Sequence, residues 1–114
     1  MKALKAIDLA DGMRPNKIPL ENKFRWLYAM ETEVAEMMGL DAPVNPYPED
    51  GDLLLPEGRD SCYISRLCAE NDHANKDTAL YERDRARADE DWAEVQGWWR
   101  RGHRPCGKLR WRTM

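Results

Sequence analysis

Cysteine and histidine are scarce in this 114-residue sequence, which contains three cysteines and two histidines. A zinc site needs clustered Cys, His or carboxylate ligands at short spacing. Cys62 and Cys68 are six residues apart, and the lone H-x-x-C pair, His103 with Cys106, lies among arginines that disfavour a divalent cation. Acid–base catalysis needs a titrating group held beside a partner, and neither His103 nor His73, which lies in a polar stretch, offers one in sequence. The sequence therefore predicts no metal, no cofactor and no catalytic residue.

Other absences exclude further classes of protein. No apolar run approaches the 18 or more residues of a membrane span. Asp8 and Asp11 interrupt the apolar part of the N-terminus, so no targeting segment is expected. The glycines of the first half are isolated, which argues against a phosphate-binding loop. An odd number of cysteines, with Cys62 and Cys68 pointing about 240° apart on a helix, is typical of a reduced, intracellular protein.

Charged residues, at 34%, and apolar residues, at 42%, favour a small helical domain. We predict an all-α fold: a small bundle of about four helices near 2–11, 20–38, 60–75 and 77–101. A long Pro-rich loop covers 40–58. The chain divides into a helical domain, 1–102, and a basic C-terminal arm, 103–114.

The second predicted helix is apolar on two sides, which indicates burial between neighbours in the fold or across a subunit contact. Its first strip comprises Phe24, Leu27, Tyr28, Val34, Ala35 and Met38, and its second comprises Trp26, Met30 and Met37. Leu53-Leu54-Leu55 follows in the loop as a short strand or an extended clip pressed into a hydrophobic slot. The candidates for subunit contact are Trp26, Met30, Leu53, Leu54 and Leu55.

The last two helices have weaker patterns. Tyr63, Ile64, Leu67 and Cys68 form the stripe of the third, and 71–75 is either a turn or a kink. The inner positions predicted for the fourth are Tyr81, Arg85, Ala88, Trp92, Val95 and Trp99. The alternating charges of Glu82–Asp91 form a solvated face with internal ion pairs or pair across subunits.

The charge distribution sets the C-terminus apart. Six of the 18 basic residues and none of the 21 acidic ones follow Glu94, which leaves the first 94 residues at net −9. This tail either binds nucleic acid, by phosphate contacts and base stacking, or docks into a partner protein with Trp111 as its anchor. The acidic body argues against nucleic acid. The residues of this docking arm are Arg104, Lys108, Leu109, Arg110, Trp111 and Arg112.

Several short stretches, in order, resemble a family of small phage and prophage proteins. They are R-P-N-K-I-P at 14–19, N-K-F-R-W-L at 22–27, L-L-L-P at 53–56 and W-W-R-R-G-H at 98–103. The family is that of the head–tail connector (adaptor, head-completion) proteins of long-tailed bacteriophages. The resemblance spans about residues 3–105, with departures at Asn71, His73, Thr78, Arg85 and Ala88.

The resemblance implies a structural, non-enzymatic virion protein that forms a ring, commonly of twelve copies, beneath the portal protein. Such a ring joins capsid to tail at the virion neck, extends the DNA channel without sequence-specific binding and receives the next neck or tail-completion protein. Before assembly the protein would be in the host cytoplasm, and no membrane is involved. The arm would then dock on the portal.

Overall fold

A computed structural model describes residues 1–41, 43 and 51–102 of the chain. Four helices occur in these ranges: α1 (Ala3–Met13), α2 (Leu20–Met38), α3 (Ser61–Ala74) and α4 (Thr78–Gly102). The prediction of an all-α fold is confirmed, and the described residues contain no strand beyond one isolated bridge, between Lys2 and Asp52. Each helix lies within about two residues of its predicted position at either end.

Prolines and glycines explain where the first two helices end. α1 continues past the predicted stop at Asp11-Gly12 and ends at Met13, because the chain needs an extended residue before Pro15 and Arg14 takes that conformation (φ −134°, ψ 81°). α2 ends at Gly39, which adopts a left-handed φ of 72°. The Leu40 amide then donates to the Ala35 carbonyl at 2.8 Å, as in a Schellman cap.

A turn, and not a kink, separates α3 from α4. Lys76 has a φ of 61°, so the backbone reverses there. The Asp77 amide donates to the Asp72 carbonyl at 3.0 Å. The Asp77 carboxylate accepts the Leu80 amide at 3.2 Å and so caps the start of α4. The two helices consequently run antiparallel and form the most extensive helix pair of the fold.

α3 occupies the centre of the bundle and packs against the other three helices. Tyr63, Leu67 and Cys68 of α3 are buried together with Leu27 and Val34 of α2. α1 contributes small residues to this core, and their size allows its backbone to lie close to α3. The buried side chains of α1 are Ala3, Ala6, Ile7 and Ala10.

The buried face of α4 differs from the predicted one. Asp84 is buried and Arg85 is exposed, the reverse of the sequence prediction. Arg85 pairs along the helix with Asp89 at 3.4 Å. Asp84 can be buried because Arg14, which follows α1, pairs with it and compensates its charge.

Candidate functional site

A cluster of three charged side chains joins the end of α1 to both α3 and α4. Arg14 Nε lies 2.9 Å from Asp84 Oδ2 and 3.3 Å from Asp72 Oδ1. A second Arg14 nitrogen donates to Asp84 Oδ1 at 3.2 Å, so the guanidinium grips Asp84 with two hydrogen bonds. The Asp72 side chain is only 1% exposed. We call these three residues the Arg14 junction.

The Arg14 junction contains one partly buried positive charge for two carboxyl groups. Burial, and then the hydrogen bond and charge of Asp84, raise the pKa of Asp72 to about 7. Burial also opposes ionisation of Asp84, but the hydrogen bonds from Asp72 and Arg14 hold the pKa of Asp84 below its usual value. When both groups are ionised, Asp72 Oδ2 has no hydrogen-bond partner among the described residues. When Asp72 is protonated, its carboxyl group can donate a hydrogen bond to Asp84, so the missing hydrogen bond is supplied.

The loop after α1 is held by a second polar cluster around Asp11. Lys23 Nζ donates to Asp11 Oδ2 at 2.7 Å, and Asn16 and Asn71 donate to Asp11 Oδ1 at 3.0 and 3.3 Å. Burial by itself would raise the pKa of Asp11, but these hydrogen bonds and the charge of Lys23 outweigh it and lower the pKa. Asn16 also accepts the Ile18 amide at 3.0 Å, which fixes the turn. Three helices and the loop thus meet at one carboxylate.

A third buried acid fastens the segment Leu53–Leu55 to the bundle. Glu31 is fully buried, accepts the Leu54 amide at 2.9 Å and accepts the hydroxyl of Tyr63. The same hydroxyl accepts the Leu55 amide at 3.2 Å. Burial and the Glu31 charge raise the pKa of Tyr63, so the phenol stays protonated.

The two described thiols are poor nucleophiles. Burial, with nearby carboxylates, raises the pKa of Cys62 to about 12 and that of Cys68 to about 11. A thiol that reacts readily has a lowered pKa and access to solvent. His73 contacts the ring of Tyr81, with ring centroids 5.2 Å apart. No group of three His, Cys, Asp or Glu side chains within the described ranges is arranged to hold a metal ion. The polar clusters described above link helices through hydrogen bonds and ion pairs.

An open groove of about 680 Å³ runs along α3 and α4 beside the Arg14 junction. Met13 and Ile64 provide apolar surface, and the wall on α4 includes Arg83, Arg87 and Glu90. Met13 is 51% exposed.

The residues predicted to form contacts fall into different environments. Met30 is 5% exposed in the core, and Leu53 and Leu55 are also buried, so these three side chains have little surface left for a second chain. Leu54 is 38% exposed and Trp26 is half-buried, so a subunit contact stays a prediction for them. Residues 103–114, with the whole docking arm, lie outside the described residues.

The second strip of α2 is therefore not separate from the core. Met30 packs with Leu27 and Val34, while Trp26 and Met37 pack against the edge of the same cluster. Glu31 on the same helix binds both the Leu54 amide of the clip and the Tyr63 hydroxyl of α3, so α2 meets the clip and α3 at one place. The prediction of a clip in a hydrophobic slot agrees with the burial of Leu53 and Leu55.

Sequence reasoning missed the buried acids Glu31, Asp72 and Asp84. Glu31 lies four residues after Leu27 and three before Val34, on the same helical stripe, and Asp84 lies four residues before Ala88. An acidic residue at a position of an apolar stripe is the sequence signal that could have predicted these buried acids. Such a residue also predicts a partner elsewhere in the fold, because a buried carboxylate needs one.

No protein-family model, curated protein or solved structure matches this chain. None of the helices in the described ranges is long and apolar enough to cross a membrane.

Proposed function

We propose that this protein is a structural subunit of a phage neck, forming a ring beneath the portal and joining capsid to tail. The proposal is supported by where the stretches that carry the family resemblance lie in the fold. Two of them, residues 14–19 and residues 53–56, form the joints between helices. Because these stretches form the joints, a resemblance in them supports a similar arrangement of helices.

The R-P-N-K-I-P stretch is the first joint. Arg14 pairs with Asp72 and Asp84, Asn16 binds Asp11, and the Pro15 carbonyl accepts a hydrogen bond from Asn75 at 3.1 Å. The loop thus connects α1 to both helices of the α3–α4 hairpin. Arg14, Pro15 and Asn16 thus each have a structural contact that joins helices.

The L-L-L-P stretch is the second joint. Leu53 and Leu55 fill the core, and Glu31 and Tyr63 bind the backbone between them. The Leu53 amide also donates to the Met1 carbonyl at 2.9 Å. The N-terminus, the clip, α2 and α3 are thereby joined, which suits a rigid subunit that is copied around a ring.

The basic C-terminal arm, 103–114, is proposed to bind the portal. It carries four basic residues, Leu109 and Trp111, and aromatic anchors dominate the energetics of many protein interfaces. The acidic body suits a channel through which DNA slides without being bound. Copies of the chain in a ring and a downstream neck protein are the other proposed partners.

The test is a deletion of residues 104–114. We expect the shortened chain to keep its helical circular dichroism and its unfolding midpoint but to lose binding to portal rings in a pull-down assay. Trp111→Ala alone should weaken that binding strongly. If the shortened chain binds portal with unchanged affinity, the arm has no docking role.

A salt titration separates portal docking from the nucleic-acid alternative. DNA affinity carried by the arm's basic residues should fall steeply with salt, because counterions are released from the phosphates. Docking through Trp111 should depend on salt much less. Tight binding to duplex DNA with no affinity for portal would favour the alternative.

A further inference from the structure

One flank of α4 carries an ordered set of charges. Arg83, Arg87, Glu90 and Glu94 are all exposed. At about 100° of rotation per residue, their side chains fall within an arc of about 60°. The centre of this arc lies about 110° around the helix from the buried line of Asp84, Ala88 and Val95. We call these four residues the α4 flank.

The charges of the α4 flank are segregated by sign. The two arginines lie one turn apart in its first half, and the two glutamates lie one turn apart in its second half. Like charges at this spacing repel each other. None of the four forms a salt bridge with another described residue. By contrast, Arg85 and Asp89 on the other flank pair within the helix at 3.4 Å.

We propose that the α4 flank binds the same flank of a second copy in antiparallel orientation. A two-fold axis that crosses α4 between Ala88 and Asp89 places Arg83 opposite Glu94 of the second copy and Arg87 opposite Glu90. Because the contact is two-fold symmetric, each pair occurs twice, and the like charges within each chain gain partners of opposite sign. Parallel pairing in register would place each charge opposite its own copy and is disfavoured.

The groove beside the α4 flank offers further contact surface. Its α4 wall is formed partly by Arg83, Arg87 and Glu90, and its apolar part contains Met13 and Ile64. Leu9, one helical turn before Met13 on α1, is 42% exposed. Side chains of a second copy can therefore cover apolar surface while the charges pair alongside it.

The contact is small and mainly electrostatic. The four flank residues span about 16 Å of helix at 1.5 Å per residue. An interface of this length falls at the lower end of the range for specific complexes, about 1,200 Å² or less. The resulting dimer is weak and sensitive to salt, since charges at a solvated rim are screened.

This dimer does not depend on the proposed place in a phage neck. A two-fold contact is closed and adds only one copy, whereas a ring needs a head-to-tail contact between two different surfaces. The dimer is thus a second assembly state, formed by a surface other than a ring contact.

Charge exchange on the full-length chain tests the proposal. Analytical ultracentrifugation at low ionic strength should show a dimer for the wild type, and its loss at high salt. R83E/R87E and E90R/E94R should each be monomeric, because every cross-pair becomes repulsive. A mixture of these two variants should form a heterodimer, and the fourfold variant R83E/R87E/E90R/E94R should recover the homodimer. Circular dichroism confirms that each variant is helical.

R85E/D89R is the matched control, because it exchanges charges on the other flank, and it should dimerise like the wild type. A wild type that is monomeric at every concentration overturns the proposal. So does self-association that survives R83E/R87E, or a mixture that fails to associate. If the basic arm of one copy bound the flank instead, R83E/R87E would strengthen association, which would also overturn it.

Discussion

The protonation of Asp72 is linked to the stability of the fold. It lies on α3, is almost fully buried and shares one guanidinium with Asp84. Burial and the neighbouring carboxylate raise the pKa of Asp72 in the folded chain to about 7. In the unfolded chain its pKa is close to 3.9. The folded state therefore favours the protonated form over a wide pH range.

The sign of the pH dependence follows from this difference. The stabilisation linked to Asp72 is fully present below about pH 4 and is lost as the pH rises through about 7. Asp84, whose pKa is lowered, contributes in the opposite direction, and its stabilisation is lost as the pH falls below its folded pKa. The two opposite dependences occupy different pH windows, so they can be measured separately.

Asp72→Asn should flatten the pH dependence between about pH 4 and 7. The amide keeps a donor toward Asp84 and carries no charge at any pH. At pH 8 the variant should be at least as stable as the wild type, by up to a few kcal/mol, since one pKa unit corresponds to about 1.4 kcal/mol. Urea unfolding at a series of pH values measures this. An unchanged slope would show that Asp72 does not hold the proton.

At the scale of single elements, the helix ends are set by residues that few others can replace. Gly39 has a φ of 72° at the end of α2, whereas Gly12 lies inside α1. A Cβ atom added at either position would have no neighbour within 4 Å among the described residues. The two glycines therefore differ in backbone conformation and not in available space.

Gly39→Ala and Gly12→Ala should change stability in opposite directions. Alanine at position 39 must adopt the left-handed conformation, which costs about 1–2 kcal/mol. Alanine at position 12 should stabilise the chain by about 0.5–1 kcal/mol, because it lowers the entropy of the unfolded state. Thermal and urea unfolding of both variants give the comparison. If both substitutions changed stability equally, the φ angle would not be what determines the effect of alanine at these positions.

At the scale of the whole molecule, the clip 53–55 joins parts that are distant in sequence. It contacts Met1 at the N-terminus, Glu31 on α2 and Tyr63 on α3. A short loop segment thus completes the core, which the helices by themselves leave open.

Leu55→Ala and Leu54→Ala separate the core role of the clip from any role in contacts between chains. Leu55 is 1% exposed, so its truncation should cost about 2–5 kcal/mol in the free energy of unfolding. Leu54 points outward, and its truncation should cost less than about 0.5 kcal/mol. A folded Leu54→Ala variant that fails to assemble would identify Leu54 as a subunit contact. A large loss of stability in that variant would contradict its exposed position.

Local sequence signals determined the helices and their ends. Proline at 15 and 19 and glycine at 39 interrupt the helical pattern, and such breakers act through the backbone within a few residues. The apolar steps of α2 also identified much of its buried face, because burial of apolar side chains follows helical periodicity. The run of three leucines identified Leu53 and Leu55 of the clip as core residues, whereas Leu54 is exposed.

Only the tertiary structure decided which charged residues are buried and with which partners. Arg14 finds Asp84 across 70 residues, and Glu31 finds Tyr63 across 32. Nothing in the neighbourhood of Arg14 indicates this pairing, since it arises when α1, α3 and α4 meet. The same holds for Arg85, which the apolar pattern placed inside α4 and which lies outside. A helical period gives the spacing of a face, whereas the helices packed against that face decide which charges it can bury.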